Sequence, residues 1–323
     1  MNATPAAAGA ARFRLIVAFA AIYLVWGSSY LAIRIAIESI PPFLMAGSRF
    51  FIAGLLLYGW TLARGVPPPT LREWRGALVV GGLLLLGGNG GVSWAEQRVA
   101  SGPAALMVAL VPLWMVLFDG WRPGGSRPGR QVMAGVMLGL AGLALLTGPS
   151  RLVGAGRLDP VGAAVLVFAT VSWATGSLVA RQVRLPASPA RATAMQMLAG
   201  GALLLAAGLA TGETARLDPG AVTARSAGAV AYLVVVASIV AFTAYGWLLR
   251  VSTPARVATY AYVNPVVALL LGWAFAGETL TPRTVLAAGV IFGAVVIITG
   301  YPPRAPAPPA AAGGVAAGPA GGE

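Results

Sequence analysis

The 323-residue chain contains no cysteine and no histidine, and because all 22 of its basic residues are arginine it contains no lysine either. Without a thiol there is no disulfide framework and no thiolate nucleophile. Without imidazole or an ε-amine, the usual metal ligands and Schiff-base chemistry are missing as well. Acidic residues number nine, scattered singly, so paired carboxylates for intramembrane hydrolysis are not in sight. The chain is therefore not expected to be an enzyme, and no cofactor or metal is expected. Charged residues make up only 10% of the chain, against roughly 25% in a typical soluble domain. With 58% hydrophobic residues and a mean hydropathy of +0.81, the composition is that of an integral membrane protein.

What the chain does have is one five-segment hydrophobic pattern written twice. Runs long enough for about 30 Å of hydrocarbon lie near 15–35, 43–63, 76–94, 100–118 and 131–147, and again near 159–180, 192–211, 227–249, 255–276 and 284–300. Trp26, Leu31 and Arg34 recur 147 positions later as Trp173, Leu178 and Arg181. Trp94, Ala105 and Pro112 recur 153 positions later as Trp247, Ala258 and Pro265, so six extra residues sit in the polar stretch Thr211 to Ser226. Gly135, Val136 and Gly139 recur at 154 as Gly289, Val290 and Gly293. Insertions that fall in loops are what a true duplication leaves. An odd number of spans per copy forces the two copies into opposite orientations, which is a transporter's architecture. The expected fold is all-α and integral to the membrane: repeat 1 over 13–148, a linker over 149–158 and repeat 2 over 159–300, ten transmembrane helices in all. The Ala-, Pro- and Gly-rich ends, 1–12 and 301–323, read as disordered tails.

A net charge of +13 raises the question of nucleic acid, but the arginines are dispersed through short connections rather than gathered on one face. With the N-terminus inside, fourteen arginines fall on inner segments and six on outer ones, so both termini are expected in the cytoplasm of a multi-pass inner-membrane protein with no nucleic-acid partner.

Charges within apolar runs cost several kcal/mol and so attract functional readings. Arg34, near the outer end of the first span, is placed either to snorkel or to pair with Glu38. Arg49 is expected to form a structural ion pair with Glu38 or Glu96 at the outer rim. Glu96 and Glu278 close two spans on the outer side, where either could take a proton; for Glu278 the preferred reading is a helix cap. Trp26 and Trp173 are mid-span equivalents, and symmetric positions are where inverted repeats meet. Trp94 and Trp247 sit near span ends, where an interfacial belt explains them equally well, as it does Trp60, Trp74 and Trp121. Asn89 lies among Gly87, Gly88, Gly90 and Gly91, a weakened helix whose backbone can face a cavity. Pro112 and Pro265 are expected to break the fourth and ninth spans, and Asn264 brings an amide to the second break. At helical spacing Tyr260 shares a face with Asn264. The substrate-binding set expected from these arguments is Trp26, Asn89, Trp94, Trp173, Tyr245, Tyr260 and Asn264. The two G-x-x-x-G runs read as close-packing faces, with a homodimer as one use for them.

The stretches Trp26-Gly27-Ser28-Ser29-Tyr30-Leu31-Ala32-Ile33-Arg34, Pro41-Pro42, Ala46-Gly47-Ser48-Arg49-Phe50, Asn89-Gly90, Ala261-Tyr262-Val263-Asn264-Pro265-Val266-Val267 and Gly277-Glu278-Thr279-Leu280 can be read together. They resemble the EamA-domain transporters of the drug/metabolite transporter superfamily, and the YedA-like exporters within it. The glutamate that commonly follows the fourth helix of such a unit is absent near Gly124-Gly125. The resemblance implies two inverted five-helix units around a central cavity, and export of small metabolites such as amino acids, aromatic compounds or drugs by alternating access. The alternative is a membrane sensor or scaffold that binds a ligand without moving it, for which no large extramembrane domain is present.

Overall fold

The computed structural model describes residues 5–99, 104, 107–122, 125, 128–147, 159–276 and 281–300, and among them every regular element is helical. In chain order the helices are α1 (Pro5–Ala36), α2 (Pro42–Ala63), α3 (Leu71–Ala95), α4 (Val111–Trp121), α5 (Arg130–Thr147), α6 (Pro160–Val179), α7 (Pro189–Ala210), the short α8 (Glu213–Arg216), α9 (Ala224–Val251), the short α10 (Pro254–Ala258), α11 (Tyr260–Ala276) and α12 (Pro282–Gly300). Seven of these are long and apolar enough to cross a bilayer, and α4 and α5 are apolar but shorter. Polar residues start them. Thr70 and Glu73 form a capping box on α3, Asp159 accepts from the backbone of Val161 and Gly162 on α6, and Ser188, Thr223 and Thr253 cap α7, α9 and α10.

Equivalent helices of the two copies pack against each other antiparallel. Along α2 and α7 the close neighbours are Leu44 with Gly208, Gly47 with Leu205, Phe51 with Gly201 and Gly54 with Leu198, one series rising while the other falls. A methyl group on Gly54 would stand 2.8 Å from the Leu198 nitrogen, so the missing side chain is what lets these backbones meet. In α5 and α12, Gly135 lies on Ile298 and Gly142 on Ile291, again antiparallel. Gly139 meets Tyr262, so the first G-x-x-x-G face is used inside the chain, whereas among the described residues Gly289 and Gly293 have nothing within 4 Å.

The first helix of each copy packs on the third helix of the other, α1 on α9 and α6 on α3. Both third helices widen to π-helical pitch at equivalent positions, Gly82–Gly90 and Leu233–Phe242. A π turn frees carbonyls from the α-helical ladder, and side chains from the opposite copy accept the offer. Ser172 Oγ donates to Leu83 O (2.7 Å) and Trp26 Nε1 to Ala237 O (3.2 Å).

Outward faces carry Leu24, Leu55, Leu56, Trp60, Leu209, Val235, Phe292 and Val296, an apolar coat suited to lipid. The structure departs from the sequence reading in three places. The first helix starts at Pro5, inside the stretch expected as a tail, because alanine is the strongest helix former. The 100–118 run is not one helix: a turn at Ala109–Leu110 precedes α4, whose first turn holds Pro112. Pro265 lies inside α11, and the interruption in this region is instead at Thr259, upstream of the proline, which lacks an N–H to offer the preceding turn. The linker 149–158, Glu278, Gly124 and the stretch 301–323 lie outside the described residues.

Candidate functional site

A cavity of about 850 Å³, counted to its open mouth, lies where α1, α2, α3, α4, α6, α9 and α11 converge. It is walled by both copies. Trp26, Ser29 and Ile33 come from α1, Arg49 and Phe50 from α2, Asn89, Ser93 and Glu96 from α3 and its end, Ala169, Thr170 and Trp173 from α6, Phe242 from α9, and Tyr260 and Asn264 from α11.

The floor is aromatic. Trp26 and Trp173 meet edge to face with ring centroids 5.8 Å apart, and Trp26 also packs on Tyr245 (5.1 Å) and Tyr260 (4.9 Å). Such pairs each contribute about 0.5–1.5 kcal/mol beyond the area they bury. Tyr245 is fully buried beneath this layer. Its hydroxyl lies 2.5 Å from Ser177 Oγ and accepts from Trp173 Nε1 at 3.0 Å, while Ser177 Oγ donates to Trp173 O at 2.7 Å. Ser177 has one proton and spends it on that carbonyl, so Tyr245 must donate to Ser177, and the three groups close a ring of hydrogen bonds. On its far side Tyr245 borders a second, small pocket with Leu84, Pro189, Thr193, Gln196, Gly246 and Arg250. The aromatic floor and Tyr245 beneath it therefore lie between the two spaces. Nearby, Thr259 donates to Arg256 O, so Tyr23 donates to the Thr259 hydroxyl at 2.6 Å, tying α1 to the interruption before α11.

The polar wall belongs mainly to the first copy. Arg49 is 4% exposed, its guanidinium 4.3 Å from the Phe50 ring centre, and its Nη2 donates to Asn89 Oδ1 at 3.2 Å. Arg49 Nε and Nη1 are buried with no hydrogen-bond partner among the described residues. Glu96, one residue past α3, lines the same cavity, and burial pushes its carboxyl up to about 7. Asn264 is oriented with its amide nitrogen toward Tyr260 O (3.0 Å) and Tyr23 O (3.2 Å). The second copy contributes Phe242 where the first has Asn89, and Gln196, outside the cavity, where the first has Arg49.

Of the residues expected from sequence to bind substrate, the structure gathers Trp26, Asn89, Trp173, Tyr260 and Asn264 around one cavity, with Tyr245 directly behind them. Trp94 is not among its lining residues. It packs with Val99 and Leu166 beneath the Arg98 guanidinium, 4.8 Å from its ring, because its neighbours Ser93 and Glu96 take the inward face of the helix end. Arg49 pairs with Asn89 rather than with a glutamate, and Glu38 instead lies 3.9 Å from Arg225. The Arg34 side chain lies outside the described residues. Sequence reasoning missed Ser93, Thr170, Phe242 and Ser177. Phe242 had a signal, since it is the repeat equivalent of Asn89; the others are small hydroxyl residues with no pattern to mark them.

The model of the EamA-like transporter family matches residues 13–148 and 160–300. The chain is 42% identical over 293 residues to the "Uncharacterized inner membrane transporter YedA" of Escherichia coli K12, covering 89% of this chain and 92% of that one. It is 26% identical over 280 residues to the protein PecM of Dickeya dadantii, covering 85% and 88%. A solved crystal structure, 24% identical, superposes with a TM-score of 0.72 over 89% of this chain and 96% of its own.

Proposed function

This chain belongs to the EamA-like transporter family and is a multi-pass membrane protein, and on that footing we propose that it is a secondary transporter exporting small organic metabolites across the inner membrane by alternating access. In this reading the ten apolar segments form two inverted five-helix units with both termini in the cytoplasm, as the arginine bias favours. Export is the direction carried by the sequence resemblance.

The observation that carries the reading is the cavity itself. It is shared by both copies, its floor is the symmetry-related pair Trp26 and Trp173, and a separate pocket begins on the other side of Tyr245. Alternating access needs a site at the repeat interface and two routes to it that are never open together. Trp26, Asn89, Trp173, Tyr260 and Asn264 would hold the solute, and Tyr245 would be the inner closure.

The test is an untargeted mass-spectrometric survey of metabolites accumulated by inside-out vesicles bearing the wild type or Trp173→Ala at equal abundance. A compound enriched only by the wild type is the expected result. Equal enrichment moves the site elsewhere, and no enrichment under any imposed pH gradient favours a ligand-binding sensor over a transporter.

A further inference from the structure

Arg49 is the one charged residue among the described residues of the cavity wall that is wholly buried within a span, and Asn89 occupies only part of its hydrogen-bonding capacity. A guanidinium carries five N–H donors, and the Nε and Nη1 atoms left without a partner hold three of them. Leaving charged donors unmatched in a low-dielectric wall is among the more expensive arrangements a protein can keep. The local packing does not account for it: Phe50 offers a ring face, which attracts the cation but accepts no N–H in the guanidinium plane. Asn89 offers its neutral carbonyl oxygen, where an aspartate would have closed the pair.

We propose that Arg49, oriented by Asn89, is the receptor for a monoanionic carboxylate on the transported solute, whose apolar or aromatic body rests on Trp26, Trp173 and Phe242. This deepens the transporter reading and rests on it. A planar carboxylate matches the fork geometry of a guanidinium, and charge-assisted bonds of this kind are the strong ones. Glu96 on the same cavity sets the charge limit. Once ionised it opposes a second negative charge on the solute, so a carboxylate is admitted in preference to a dianionic phosphate.

The test uses purified full-length protein in nonionic detergent with three probes of one shape class: 3-phenylpropionate, its neutral amide and phenyl phosphate, with affinities read by calorimetry. The wild type is expected to bind the carboxylate at least tenfold tighter than the amide and tighter than the phosphate. Arg49→Gln should bring carboxylate and amide to the same affinity. Asn89→Asp supplies an internal carboxylate to Arg49, so it should lose the preference too while melting at or above the wild-type temperature; that variant answers the question even if Arg49→Gln fails to fold. Equal binding of carboxylate and amide by the wild type, binding of neither, tighter binding of the phosphate, or a preference that survives Asn89→Asp overturns the proposal. The transporter reading is judged apart, by the vesicle survey. Neutral or cationic cargo exported equally by wild type and Arg49→Gln would sink the anion receptor and leave the transporter standing.

Discussion

Trp26 and Trp173 hold the same position in the two copies and touch, with ring centroids 5.8 Å apart and planes at 80°. Contact between equivalent residues places them beside the pseudo-two-fold axis, where the two copies have no choice but to share one environment. Neither ring can be lost without opening space beneath the other.

Trp26→Ala and Trp173→Ala should each lower transport more than tenfold at equal membrane abundance. Because the two rings are in contact, the double variant should lose less than the product of the single losses. Vesicle accumulation assays on all four proteins check this, and strictly multiplicative effects would count against a shared floor.

Tyr245→Phe removes the hydroxyl that accepts from Trp173 and donates to Ser177, and should lower stability by roughly 0.6–2 kcal/mol, read as a thermal shift in detergent. Tyr245→Ala should do something different in kind, removing the support beneath the aromatic floor and opening a path between the two spaces. The cysteine-free chain suits the measurement, since single probes need no background removal. Ser93→Cys on the cavity side and Gly246→Cys on the other should be labelled by a membrane-impermeant thiol reagent from opposite faces in the parent, and from both faces once Tyr245 is alanine.

Glu96 gives a pH signature. With its carboxyl raised to about 7 by burial, it is mostly protonated below that value and charged above it. A proton bound more tightly in the folded state also means that its contribution to stability declines as pH climbs from the ordinary carboxylate range toward 7. Solute affinity in the wild type should therefore step near pH 7, with a carboxylate held more weakly on the alkaline side, and Glu96→Gln should flatten the step. An unchanged profile in that variant would assign the titration to another group.

The glycines divide by what lies opposite them. A methyl on Gly81 would approach Gln196 O to 2.5 Å and one on Gly201 would approach the Phe51 nitrogen to 2.7 Å, so Gly81→Ala and Gly201→Ala should depress the melting temperature by several degrees. Gly289→Ala and Gly293→Ala meet nothing within 4 Å among the described residues and should melt like the wild type. If Gly289→Leu abolishes a dimer seen by light scattering in detergent, this open face is the subunit contact, as the second G-x-x-x-G run suggested.

Much of this was legible in the chain because a duplication writes its geometry into residue spacing. The 147-residue offset named Trp26 and Trp173 without any structure, and the four glycines around Asn89 marked a weak helix, most of which turned out to be of π pitch. What spacing cannot carry is rotation about a helix axis. Trp94 and Ser93 are neighbours in sequence yet face different surroundings, and only the packing of α3 on α6 decides which one meets the cavity. The partner of Arg49 was missed for the same reason: a charge pattern favours the nearest opposite charge, whereas the fold supplied an amide from another helix. Pro265 shows a third limit, since a proline announces a disturbed turn but not which residue will yield to it.

The two π-pitched stretches bear on how the mouths of the site are tied together. Glu96 follows the stretch in α3, and Tyr245 follows the one in α9 by three residues. A wide helix stores fewer degrees of turn per residue than an α-helix, so any tightening of Gly82–Gly90 must swing Ser93 and Glu96 around the axis like the handle of a crank. The same tightening of Leu233–Phe242 must swing Tyr245. Each crank leans on a hydrogen bond from the opposite copy, Ser172 to Leu83 in one and Trp26 to Ala237 in the other. Under the proposed transport cycle, turning either stretch would therefore require one copy to release a hydrogen bond held by the other, so the two openings would share the same two joints.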